Sequence, residues 1–307
     1  ANNVPADGKF EITFPTGFDV SSATITSISG QGGNEGTGHT IAKNGQIVTV
    51  TRGTGGTPGA FTTGVTTVVL GSVKNPGISG TTGTYIITTT NTGGTAIDRL
   101  TTVAESTLIP GVITNADVTP ASLVAGASGA VTATFTIANN VPADGKFEIT
   151  FPTGFDVSSA TITSISGQGG NEGTGHTIAK NGQIVTVTRG TGGTPGAFTT
   201  GVTTVVLGSV KNPGISGTTG TYIITTTNTG GTAIDRLTTV AESTLIPGVI
   251  TNADVTPASL VAGASGAVTA TFTIANNVPA DGKFEITFPT GFDVSSATIT
   301  SISGQGG

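Results

Sequence analysis

The two histidines, His39 and His176, are the side chains best suited to acid–base or metal chemistry at neutral pH. Each closes a glycine-rich run of the type Gln31-Gly32-Gly33-Asn34-Glu35-Gly36-Thr37-Gly38. A metal site or a general base needs further His, Asp or Glu side chains converging on the imidazole, and only Glu35 is near in the chain. The histidine therefore reads as a solvated loop residue whose replacement should hardly change stability. Gly53-Thr54-Gly55-Gly56-Thr57-Pro58-Gly59 has the glycine content of a phosphate-cradling loop but lacks the following Lys-Ser/Thr and a helix N-terminus. It reads as a long flexible connection between strands. Asp7, Lys9 and Glu11 stand two apart, which on a strand places them on one outward face. Two carboxylates around one ammonium make a surface salt-bridge ladder more readily than a calcium site. Asp98 and Asp117 are isolated in the sequence. A Lys–Asn isopeptide bond needs a buried lysine among Lys9, Lys43 and Lys74; Lys9 falls on the outward face and Lys74 precedes a turn at Asn75-Pro76. No residue set emerges for catalysis, a cofactor or a metal, so the chain is expected to be no enzyme and to bind no cofactor.

The frame that must hold these residues is a repeat. Ala1-Asn2-Asn3-Val4-Pro5-Ala6-Asp7-Gly8-Lys9-Phe10 returns at Ala138 and at Ala275, a period of 137 residues without a substitution. Solenoid repeats run to about 20–50 residues, so a unit of this length can bury its own core. Seven acidic and five basic residues per period leave a net charge of −6 over the chain, which excludes a nucleic-acid footprint. Charge is sparse, at 9% of residues, and Thr fills 30 positions of each period, as suits the outward faces of strands. Cys is absent, which removes disulfides and thiolate metal sites. Met is absent too, and the reading expects a processed chain or a segment of a longer one. No apolar run is long enough to insert in a membrane and no signal peptide opens the sequence. No Asn-x-Ser/Thr acceptor for N-linked sugar occurs.

Strict alternation in Val131–Ile137, with Val, Ala, Phe and Ile on one side and Thr on the other, is that of a half-buried strand. It predicts Phe135, Phe147, Ile149, Phe151 and Ile224 inside, with Thr132, Thr134, Thr136, Lys146 and Glu148 exposed. The alternation returns in Lys146–Phe151, and Pro142-Ala143-Asp144-Gly145 between them predicts a hairpin. Ala160–Ile165 reads as a strand. Thr177–Lys180 and Gln183–Thr188 flank Asn181-Gly182, which predicts a hairpin with a type I′ turn. Val205–Val210 and Thr221–Thr227 follow, and a Thr229-Gly230-Gly231 turn leads to Ala233–Val240. The last of these also fits helical spacing through Ile234, Leu237, Val240 and Ala241, but the glycine turn and the threonines favour a strand. With Val249–Val255 and Ala267–Ile274 as the first strands of a following copy, each period holds about eight or nine strands. That spacing predicts an all-β fold of tandem antiparallel immunoglobulin-like sandwiches, without the Cys-Trp-Cys core of an antibody domain.

The seam between copies falls at Leu108-Ile109-Pro110-Gly111 and Leu245-Ile246-Pro247-Gly248. It divides the chain into 1–109, a repeat lacking its first strands; 110–246, a complete repeat; and 247–307, the first strands of a further one. Pro110, Gly111, Pro247 and Gly248 form a short inter-repeat junction, which predicts stiff coupling.

Phe-Pro-Thr-Gly-Phe-Asp after a strand, the Asn-Gly hairpins and Thr-Gly-Thr-Tyr before the penultimate strand resemble the immunoglobulin-like repeats of long bacterial or archaeal surface proteins. The resemblance implies an extracellular or cell-surface protein, a fibre or stalk whose partner is more of itself. The alternative it carries is an adhesin arm whose loops bind glycan or matrix. Scarce Tyr and absent Trp weigh against that alternative.

Overall fold

The computed structural model describes residues 3–193 and 195–304, and these are all-β, with no helix among the described residues. Two compact units are present, one running to Gly248 and one from Val249.

Within the first unit the complete repeat has nine strands of five or more residues: β1 Thr114–Pro120, β2 Ser128–Ile137, β3 Lys146–Thr150, β4 Thr161–Ser166, β5 Thr177–Asn181, β6 Ile184–Thr188, β7 Gly201–Lys211, β8 Tyr222–Thr227 and β9 Ala233–Val240. One sheet has the order β1-β2-β7-β4. The other runs β9-β8-β3-β6-β5, with the two-residue strand Gly111–Val112 added parallel to β9 at its edge. Apart from that edge pair, neighbours within these sheets are antiparallel.

Period-2 alternation decides which side chains meet between the sheets. Val131, Ala133, Phe135 and Ile137 of β2 pack with Val205 and Leu207 of β7 on one side of the core. Phe147 and Ile149 of β3, Val185 and Val187 of β6, and Tyr222 and Ile224 of β8 form the other side. The five side chains predicted inside are buried. The set predicted exposed, Thr132, Thr134, Thr136, Lys146 and Glu148, is half-buried instead. The face is the expected one, but β2 and β3 are interior strands with a neighbour on each flank, and those neighbours cover much of it.

The hairpin expected from β2 to β3 does not form, because the two strands belong to different sheets. Gly145 N–H does close a turn on the Pro142 carbonyl at 2.9 Å, but the turn lies within a crossing from one sheet to the other. Crossing lets the apolar faces of both strands bury against each other, and Phe135 meets Phe147 edge-on at 5.7 Å between ring centroids. β5 and β6 do form a hairpin. Its left-handed residue is Gly182 (φ 57°) without Asn181 or Gln183, whereas a type I′ turn needs two adjacent positive φ values. Ala233–Val240 is a strand, paired with β8 through the glycine turn.

Residues 3–109 repeat the strands from β3 to β9 at positions 137 lower, with the same bounds except for the counterpart of β7, which shortens to Thr67–Gly71. Their own core holds Phe10, Val48, Val50 and Phe61. In the second compact unit Thr251–Pro257 pairs antiparallel with Val268–Thr273, the counterparts of β1 and β2. Lys283–Phe288, whose first five residues are the counterpart of β3, forms no strand.

Candidate functional site

Arg189 is buried, at 2% exposure, and sequence reasoning missed it. Its position carried a signal: it follows Val185 and Val187 in phase, so the alternation that sends those two valines inward sends the arginine inward as well. The guanidinium carbon lies over Phe198, 3.6 Å from the ring centroid. Nη1 donates to the carbonyls of Val141 (3.2 Å) and Pro142, and Nη2 donates to those of Asn171 and Gly196 (2.8 Å). One side chain thus joins three separate loops at one end of the sandwich. Burial pushes the guanidinium down to about 10, which leaves it charged at neutral pH. Arg52 makes the same contacts in the first repeat.

The loops around Arg189 are themselves stapled. Glu172 accepts the Gln168 amide at 2.9 Å, and this hydrogen bond is the main reason its carboxyl sits below the usual carboxylate range. The buried Gln168 side chain accepts from Thr199 N–H (3.1 Å) and donates to the Val202 carbonyl (3.1 Å). His176 is half-buried, and its Nδ1 accepts the Gly190 N–H at 2.9 Å. It is therefore a structural acceptor and not the solvated loop residue expected from the sequence. Gly190 and Gly192, in the counterpart of 53–59, are likewise not in a free loop. Gly192 and Thr174 exchange two backbone hydrogen bonds (2.9 and 3.1 Å), and Gly190 lies so close to Thr174 that an added Cβ would be 2.0 Å from its carbonyl oxygen.

Chemically this assembly turns its polar groups on the protein itself. The arginine Nη donors face carbonyls and the imidazole Nδ1 is occupied by an amide, while Arg189 Nε is buried without a hydrogen-bond partner. Among the described residues no group of three or more His, Cys, Asp or Glu is placed to hold a metal ion. Lys146 and Glu148 share a face, as expected, but each stands opposite threonines on both neighbouring strands: Thr188 and Thr227, Thr186 and Thr225. Asp144 lies in the turn before β3, so only Lys146 and Glu148 of the expected set stand on the strand. Of the lysines, Lys180 donates to the Ala160 carbonyl at 3.0 Å and Lys211 is exposed. Asn212, next to it, is buried with its amide committed to the Ser122 and Val124 carbonyls at 2.7 and 3.0 Å.

Acidification should loosen this end of the molecule. Burial, and then the charge of Arg189, hold the His176 imidazole below its ordinary value of 6.5. As pH falls below about 6.5 the unfolded chain takes up that proton before the folded one, so stability declines down to the depressed folded value. Glu172 adds a second loss in the acid range, because its lowered carboxyl contributes stability that disappears as pH falls through its folded value. Thermal unfolding midpoints measured from pH 8 to pH 2 should fall in these two stages, the second below about pH 4.5. His176→Gln should reduce the first, and an unchanged first stage would assign it to other groups.

The junction residues are built into the second repeat. Gly111 pairs parallel with Asp235, and a Cβ on it would stand 2.2 Å from the Asp235 carboxylate, so only glycine fits there without a shift. Asp235 is fully buried and accepts from the amides of Ala138 and Asn139 (2.9 Å each) and from the Asn139 side chain (2.7 Å). It is the counterpart of Asp98, which looked isolated in the sequence, and the amides that Asp235 accepts from lie 96 and 97 residues away. On this same corner Ser79 of the first repeat donates its amide (3.0 Å) and its hydroxyl (2.8 Å) to the Ala233 carbonyl. Pro110 is half-buried, Pro247 is exposed, and Gly248 ends the first compact unit.

The chain is thus an all-β protein of antiparallel sheets with a structural, inward-facing arginine. No protein-family model matches it. No curated protein matches it either. Solved structures similar to it include the C-terminal domain of the antigen I/II polypeptide BspA of Streptococcus agalactiae, at 12% identity over 78% of this chain and 83% of that one, TM-score 0.25. A second is the C-terminal domain of the antigen I/II-family protein AspA of Streptococcus pyogenes, at 12% identity over 78% and 84%, TM-score 0.28. A third is the N-terminal domain of a Streptococcus gordonii adhesin, at 14% identity over 79% of this chain and 57% of that one, TM-score 0.28. Superposition at this level is too partial to carry a function across.

Proposed function

We propose that this chain is a stretch of an extended extracellular fibre or cell-surface stalk, built from tandem immunoglobulin-like sandwiches and acting through length and stiffness. The observation that carries the reading is the joint inside the first unit. Two copies of a sequence that recurs unchanged every 137 residues meet through hydrogen bonds from the Ser79 amide and hydroxyl to the Ala233 carbonyl, not through a solvated linker alone. The sheet orders support the immunoglobulin-type description. β1-β2-β7-β4 has the arrangement of a four-stranded A-B-E-D sheet and β9-β8-β3 that of G-F-C, with β6 and β5 extending the second sheet as added strands. A polar cluster that faces only its own loops fits a module selected for shape.

Electron microscopy of the native material tests this reading, combined with labelling of intact cells by an antibody to the repeat. Label on the surface and filaments of constant axial repeat are the expected result. Flexible, irregularly bent chains, or label confined to the cell interior, would refute it.

A further inference from the structure

Two attachments cross the joint inside the first unit, and both end on β9 of the complete repeat. The first is the connecting chain. Gly111 and Val112 pair parallel with Asp235 and Arg236, and Ile113 is buried in the core of the complete repeat. The second comes from a loop well before the connection. Ser79 donates its amide and its hydroxyl to the Ala233 carbonyl, and Gly77 lies against Asn139, where an added Cβ would stand 3.4 Å from Oδ1. This loop is braced from behind. Gly80–Thr81 pairs antiparallel with Thr107–Leu108, just ahead of the connection, and Thr82 N–H donates to the Ser106 carbonyl at 2.9 Å. Loop and connecting chain therefore leave the first repeat tied together. One connecting segment leaves a neighbouring domain free to turn about it; a second attachment, set apart from the first, removes that freedom.

Asn139 touches both attachments. Its Nδ2 donates to Asp235 Oδ1, its own N–H and that of Ala138 donate to Oδ2, and its Oδ1 is the atom nearest to Gly77. Gly111 passes close by as well, since a Cβ there would stand 2.4 Å from Asn139 Nδ2. The Asp235 carboxylate is fully buried, and stripping a donor from a buried carboxylate is costly, which holds the asparagine in this one orientation.

We propose that the Asp235–Asn139 pair is the recognition element of the joint: it fixes the angle between the two repeats and selects, as the neighbour it accepts, a loop of the Gly77-Ile78-Ser79 type, which is that of another copy of this repeat. The loop is read at two points. A branched side chain at position 77 meets Asn139, and only a residue with a hydroxyl beside its amide makes both bonds to the Ala233 carbonyl. A different domain in the place of the first repeat is tethered by the connection but not held at one angle. The inference deepens the stalk reading and rests on it for the use to which a fixed angle is put.

Distances between two spin labels test this on the full chain, without background because it has no cysteine. Ala42→Cys and Ala179→Cys place the labels at exposed, equivalent positions, one on Thr40–Asn44 of the first repeat and one on β5. The chain with an intact joint should give one narrow distance peak. Ser79→Pro removes both donors to Ala233 while leaving Asp235 fully paired, and the narrow peak should be lost to a broad distribution. Gly77→Val presses on Asn139 from the side of the first repeat and should shift or broaden the peak. Both loop variants should keep the thermal unfolding midpoint of the parent, which separates a lost joint from a lost fold. Asn139→Ala should broaden the peak as well, and if it unfolds the complete repeat, circular dichroism will show that and the two loop variants decide. A peak that stays narrow and in place in either loop variant, or in a folded Asn139→Ala chain, overturns the proposal and leaves the stalk reading standing. A broad distribution with the joint intact overturns the stiffness on which that reading depends, and the proposal with it.

Discussion

Arg189→Ala is expected to destabilise the complete repeat by on the order of 3–5 kcal/mol, among the largest losses any single substitution there should cause. The change strands four backbone carbonyls from three loops and removes the stack on Phe198, in a place that water reaches poorly. Arg189→Lys should recover little, since one ammonium cannot reproduce a planar fork that binds carbonyls on two sides while lying on a ring. His176→Ala removes a single acceptor from Gly190 N–H and should cost only about 1 kcal/mol. Denaturant titration of the three variants gives the ranking. If Arg189→Ala costs no more than His176→Ala, the arginine is not what joins the loops.

Phe135→Ala should cost on the order of 3–5 kcal/mol, by loss of burial and by the cavity left behind. The ring is fully buried and touches Phe147 of the opposite sheet, which packs in turn on Phe198, the ring that carries Arg189. Its loss therefore weakens both the contact between the sheets and the base under the arginine. The check is chemical denaturation followed by hydrogen exchange at the β2 and β7 amides, which should lose protection together. A loss below about 1 kcal/mol would mean that the core closes over the gap without Phe135.

Strand positions, the inward set and the strand character of Ala233–Val240 were legible in the sequence, because alternation and turn residues act over a few positions. What failed was non-local. Nothing near Val131–Ile137 says whether the next strand joins the same sheet, since a turn of the type Pro142–Gly145 serves a hairpin and a crossing equally well. Asp98 looked isolated because the amides that its counterpart Asp235 accepts stand 96 and 97 residues away. Arg189 was the avoidable miss. It continues the inward phase of Val185 and Val187, and an arginine in that phase with a phenylalanine nearby in the chain is a candidate buried cation. The exposed threonines were overestimated for the opposite reason: alternation names a face, but cover by flanking strands depends on how many neighbours the strand acquires.

The parallel pairing of Gly111–Val112 with β9 has a mechanical consequence. When the chain is pulled from its two ends, the force reaches the complete repeat backward through Gly111 and forward through the end of β9. Parallel neighbours loaded in that way are drawn past each other along their length. The bonds between them then share the load and must yield together, whereas an antiparallel pair pulled apart at one end opens rung by rung. A second parallel bridge, Val124 to Ile246, lies at the outgoing end, where Ala125 N–H donates to the Ile246 carbonyl and Ile246 N–H to that of Leu123, both at 2.8 Å. The buried Asp235 carboxylate ties the incoming segment's neighbourhood to the amides of Ala138 and Asn139. Tension along the chain thus meets shear-loaded contacts at both ends before it reaches the nine strands between them.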